Sequence, residues 1–121
     1  MARAGRFAVG AAVLAGAVLV APLVTISPAL AHAPCGTTGS NKDNSGTSKT
    51  IKAADGARQR SGSSTSCAIN GIAYPSHTVD YYCYTYANDG HYWTYLRNVT
   101  TGVMGWVRHD LLTDDGADYG C

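Results

Sequence analysis

Thr78-Val79-Asp80-Tyr81-Tyr82-Cys83-Tyr84-Thr85-Tyr86 is a run of β-branched and aromatic residues with no Gly or Pro. Such side chains suit the pleated, half-buried surface of a sheet, and the run reads as a strand. Alternation gives it two faces, with Val79, Tyr81 and Cys83 on one and Asp80, Tyr82, Tyr84 and Tyr86 on the other. Working outward, Asn88-Asp89-Gly90 is a turn signal and residues 92–99 (YWTYLRNV) form the next strand. Thr101-Gly102 marks a further turn ahead of Val103-Met104-Gly105-Trp106-Val107-Arg108. Before the central run, residues 68–74 (AINGIAY) make a shorter strand ended by Pro75. No segment carries a helical period, and Asp110-Leu111-Leu112 is at most a single 3₁₀ turn. Short strands punctuated by turns predict an all-β fold, a small barrel or sandwich.

The chain around this region is uneven. Of 121 residues, 45% are hydrophobic, but residues 1–31 hold 22 of them, beside Arg3 and Arg6. A basic start, an apolar middle and the small-x-small ending Ala29-Leu30-Ala31 describe a secretory signal peptide cut after Ala31. The rest carries seven basic residues against eight Asp and no Glu, so it offers no basic surface for nucleic acid. Residues 32–50 read as a flexible polar arm, since 36–50 (GTTGSNKDNSGTSKT) contain no apolar side chain to offset ordering entropy. Residues 51–113 are the segment able to build a core, and 114–121 (DDGADYGC) are an acidic tail. A secreted chain with no membrane attachment after cleavage is the expectation.

Cys35, Cys67, Cys83 and Cys121 are separated by 31, 15 and 37 residues. No CxxC pair occurs, so a zinc site is not expected. An even count in a short exported chain reads as two disulfides, with three connectivities open. Each would staple a core too small to be stable on burial alone.

Arg60-Ser61-Gly62-Ser63-Ser64-Thr65-Ser66, Gly71, Trp93, Gly102-x-x-Gly105-Trp106-Val107 and Leu111-Leu112 form an ordered set. Together they resemble the bacterial SH3 (SH3b) domain over about residues 53–113, and most closely its small secreted actinomycete members. The chain departs from the family pattern at Gln59, at Ser63 where the family has Pro, and around Ser76-His77. The resemblance implies a small SH3-like β-barrel. Trp106 would lie across the barrel mouth, Val107, Thr94 and Leu96 would face inward, and Trp93, Tyr95 and Arg97 outward. It also implies the pairing Cys83–Cys121, because relatives keep those two positions, and with it Cys35–Cys67.

Catalysis is not expected. No G-x-S-x-G elbow is present, and the Asp residues fall mostly in turn-like contexts rather than as paired carboxylates. No cofactor or metal is expected either. Asn98-Val99-Thr100 fits a glycosylation acceptor pattern but reads more simply as a strand meeting a turn. The functional lead is the excess of outward aromatics, too many for one small core; exposed ring patches mark binding sites. Tyr82, Tyr84, Trp93 and Tyr95, with Arg97 for a ligand carboxylate, are the candidate binding residues. The SH3b resemblance implies cell-wall peptidoglycan, peptide or glycan, as the ligand. The rival reading is a secreted protein–protein interaction domain with no affinity for the wall.

Overall fold

A computed structural model describes residues 32–121. The export signal expected over residues 1–31 lies outside the described residues. Five strands follow one another: β1 Ala57–Arg60, β2 Ile69–Ala73, β3 Val79–Tyr86, β4 Tyr92–Asn98 and β5 Met104–Arg108. Two 3₁₀ turns, His109–Leu111 and Thr113–Asp115, lead into the C-terminal tail. The strands make one antiparallel sheet in the order β2-β1-β5-β4-β3. The fold is therefore all-β, as the alternating and turn-punctuated sequence predicts. The turn at Asn88-Asp89-Gly90 closes on Gly90 with φ +82°, and that at Thr101-Gly102 on Gly102 with φ +82°, conformations that cost glycine little.

Strand β1 has no counterpart in the sequence reading, because Ala-Arg-Gln-Arg has none of the β-branched or aromatic residues that mark a strand. Its neighbours impose it. Ala57 and Gln59 pair with Ala73 and Gly71 of β2, and Arg60 pairs with Trp106 of β5. Gly105 makes the second contact possible. A Cβ there would lie 2.7 Å from the Gln59 Cβ and 2.9 Å from its backbone carbon, so only hydrogen lets β5 approach β1 this closely.

Both faces of the sheet are buried. On one, Val79, Tyr81, Leu96, Val107 and Leu112 pack with Ile51. On the other, Cys83, Trp93, Tyr95 and Trp106 pack with Ala33. The simple alternation read for β3 fails at one place: Tyr81 pairs with Leu96, but Cys83 pairs with Tyr95, leaving Tyr82 as an extra residue. This β-bulge re-aims every side chain after it, because the side-chain period is two. Tyr81 and Cys83, expected on one face, therefore enter opposite cores, and Tyr84 joins the Tyr81 side.

Residues 36–50, expected to be a loose arm, instead lie against the sheet. Gly39 passes over Tyr95, where an added Cβ would come within 3.2 Å of the Tyr95 Cβ, and the Trp106 indole N–H donates to the Thr37 carbonyl at 2.7 Å. Lys42 and Asp43 donate their N–H groups to the Tyr82 carbonyl, and Lys49 pairs with Val79. The segment substitutes backbone hydrogen bonds and a buried Asp43 for the apolar side chains it lacks. Asp43 accepts from the Ser45 and Asp118 N–H groups, each at 2.7 Å.

Disulfides join Cys35 to Cys67 and Cys83 to Cys121, the pairing the family resemblance implies. The second holds the tail along the outer edge of β3: Tyr84 pairs in parallel with Gly120, donating to the Tyr119 carbonyl and accepting from the Cys121 N–H. Arm and tail thus cover a strand edge that would otherwise invite pairing with another chain. Two disulfides fit an oxidising, extracellular environment. Asn98 is fully buried. Its amide accepts from the Thr100 and Thr101 N–H groups and meets the His77 ring, so it organises a turn and offers no acceptor for a glycan.

Candidate functional site

The five residues singled out from the sequence do not converge. Trp93 is only 2% exposed and Tyr95 6%, both beneath the arm. The Trp93 indole N–H donates to the Asp89 carboxylate at 3.1 Å, and Tyr95 packs between Tyr82 and Trp106. Tyr82 is half-buried on that same side. Arg97 is the cross-strand partner of Asp80, whose pKa is pushed up by burial against the opposing pull of Asn41 and Arg97. Tyr84 alone lies on the other side. Trp93 and Tyr95, expected to face outward, lie on the face of the sheet opposite Tyr81 and Leu96 and are buried there in a second core.

Tyr84 instead belongs to a row of rings at the β3–β4 hairpin. Tyr86 pairs with Tyr92 in register, their ring centroids 5.0 Å apart. Tyr92 packs edge-on against Tyr84 at 5.5 Å and stacks on His109, also at 5.5 Å and 29° between planes. Tyr86 and Tyr92 are each 46% exposed. Opposite the rings, Asp114, Asp115 and Asp118 complete an open groove of about 510 Å3 with Tyr84, Tyr92 and His109.

The tail shapes the second wall. Asp114 and Asp115 adopt φ of 54° and 57°, the left-handed region that Asp tolerates better than most residues. Gly116 follows at φ +77°, and an added Cβ would lie 2.6 Å from His109 Nε2, so the chain can cross this ring only without a side chain. The Thr94 hydroxyl then accepts from the Ala117 N–H at 3.0 Å and meets His109 Nε2 at 2.9 Å. Burial holds the His109 pKa below its ordinary value, against the opposing charges of Asp115 and Asp110. Lys49 pairs with Asp114 at 2.6 Å; Asp115 and Asp118 have no cation paired with them among the described residues. The groove therefore offers aromatic faces beside net negative charge, a setting for stacking and for cation–π contact.

His109 and the three tail carboxylates were not expected at a site. The one pointer to them was Cys121, since pairing it with Cys83 brings residues 114–120 beside Tyr84. Among the described residues, no group of three or more His, Cys or Asp side chains is placed to hold a metal ion. Comparison with protein-family models, with curated proteins and with solved structures finds no significant match.

Proposed function

We propose that this chain is a secreted, non-catalytic binding module of SH3-like build that engages cell-wall peptide or glycan through the Tyr84–Tyr92–His109 groove. The observation that carries the reading is the open groove itself, with contiguous, partly exposed rings on one wall and carboxylates on the other. Rings held by each other and by a strand pair are preorganised, so a ligand need not order them on binding. Sugar faces and extended peptides stack on such rings, and the acidic rim favours ligands that bring a free amino group.

The leader-like residues 1–31 and the two disulfides support secretion. The strand order and the Gly-x-x-Gly-Trp-Val segment support the SH3-like reading. Barrel closure would come from residues 49–51, which bridge Val79 on the outer strand to Leu112 after β5.

Sedimentation of the oxidised mature protein with purified cell walls tests the proposal. Tyr92→Ala is the informative variant, because Trp93→Ala would damage the core. Loss of one stacked ring, worth about 1 kcal/mol, is expected to weaken wall binding roughly fivefold. Equal sedimentation of the two proteins overturns the groove assignment, and sedimentation of neither overturns the wall reading and leaves a protein partner as the ligand.

A further inference from the structure

A second cavity, of about 200 Å3, lies apart from the aromatic groove and gathers three arginines: Arg58 and Arg60 of β1 and Arg108 of β5. Gly56, Thr65, Trp93 and Leu111 complete its wall. The strand arrangement explains the gathering. Arg58 and Arg60 flank the inward-facing Gln59 and so share the opposite face of β1. Arg108 stands across from Trp93 on the neighbouring side of the sheet.

Each guanidinium keeps donors to spare. Arg60 donates through Nη1 to the Thr65 and Cys67 carbonyls, at 2.8 and 3.0 Å, which fixes its position and leaves Nε and Nη2. Arg108 grips Asp110 as a fork, Nε to Oδ1 at 2.7 Å and Nη2 to Oδ2 at 2.9 Å, leaving Nη1. Arg58 is exposed, and its guanidinium makes no hydrogen bond or ion pair with any described residue. Asp110, paired with Arg108, and Asp89, held by the Trp93 indole, are the carboxylates that face this group. Three cations against two anions leave excess positive charge in a confined space.

We propose that this three-arginine cavity is a binding site for an organic carboxylate, such as the C-terminal carboxylate of a peptide ending in a small residue. Guanidinium forks match the planar, two-oxygen geometry of a carboxylate, and Arg108 already holds one in that geometry. Gly56, the Trp93 edge and Leu111 offer an apolar surface for the carbon attached to the carboxylate, which a free inorganic anion would not use. The volume admits a small carboxylate-bearing group. This site stands independently of the aromatic groove and of what that groove holds.

Titration of the oxidised mature protein with N-acetylalanine, followed through the Trp93 indole N–H and arginine Nε–H signals by NMR, tests the proposal. N-Acetylalaninamide, the same molecule without the charge, is the control, and inorganic phosphate at equal ionic strength is the competing anion. The acid is expected to bind with Kd on the order of 1–10 mM, and the amide at least roughly tenfold more weakly. Arg58→Gln removes an exposed charge with no structural bond and is expected to weaken the acid about tenfold. Asp110→Asn frees the Arg108 fork and is expected to tighten binding several-fold, a gain that misfolding could not imitate. Equal affinity for acid and amide, tighter binding of phosphate, or no response to either variant overturns the assignment.

Discussion

Removing the Cys83–Cys121 disulfide by Cys83→Ala/Cys121→Ala probes stability and the groove together. The two cysteines are 38 residues apart, and closing a loop of that length in the unfolded chain contributes about 4 kcal/mol by chain entropy. The same reasoning for Cys35 and Cys67, at a separation of 32, also gives about 4 kcal/mol. The loops do not overlap along the chain, so the two contributions are expected to add to about 8 kcal/mol. That equals the whole stability of many domains of this size, so the fully reduced chain is expected to be unfolded or nearly so at 37 °C. Urea denaturation followed by tryptophan fluorescence is the assay, since Trp93 and Trp106 are both buried. The two paired variants differ in one further respect. Loss of Cys83–Cys121 frees the tail that carries Asp114, Asp115 and Asp118, and should abolish groove binding under conditions where the remaining sheet is folded. Loss of Cys35–Cys67 should cost similar stability while leaving the groove in place. Unchanged unfolding midpoints on reduction, or groove binding that survives release of the tail, would refute this reasoning.

Other perturbations follow from single residues. Gly105→Ala forces a Cβ to within 2.7 Å of the Gln59 Cβ and 2.9 Å of its backbone; it is expected to cost about 1–3 kcal/mol, read as a lower thermal midpoint. Asp43 is held below its ordinary pKa: burial raises it, but hydrogen bonds from Ser45 and the Asp118 N–H more than offset that. Its contribution is therefore complete above the unfolded value of 3.8 and lost as pH falls through the lower folded value. Asp43→Asn should flatten the stability profile in that acid range. His109, held low by burial, is neutral in the folded protein, so its contribution is present above pH 6.5 and fades as pH falls toward its folded pKa. An NMR titration should place its midpoint below 6.5, and a midpoint above that contradicts the buried placement. Burial raises the Tyr81 pKa to about 12, and its hydroxyl donates to the Thr113 carbonyl at 2.7 Å. Absorbance at alkaline pH should show Tyr81 ionising late, and Tyr81→Phe should reduce the late phase by one tyrosine.

The strands β2 to β5 were legible because their side chains alternate and their turns carry Gly in the required conformation. Strand β1 was not, since a polar four-residue segment becomes a strand only because Gly105 lets β5 close on it. The order in residues 36–50 was hidden for a related reason. Composition reports how much apolar surface a segment can bury, but this one is held by backbone bonds to Tyr82 and Val79 and by a buried carboxylate. At the candidate site, the abundance of outward rings was readable, while their sorting was not. The bulge at Tyr82 breaks the period-two pattern and assigns Tyr84 to a different face from Tyr82, and the arm removes Trp93 and Tyr95 from solvent. The groove then forms from Tyr92, His109 and tail carboxylates that lie far apart in sequence and meet through the Cys83–Cys121 bond.

The most direct test of the central claim is an amide and side-chain NMR titration of oxidised residues 32–121 with soluble cell-wall fragments. Shift changes are expected to concentrate at Tyr84, Tyr92, His109 and residues 114–118, and to be absent from Tyr84→Ala/Tyr92→Ala protein that retains its fold. Changes centred elsewhere on the sheet, or none at saturating fragment, would contradict it.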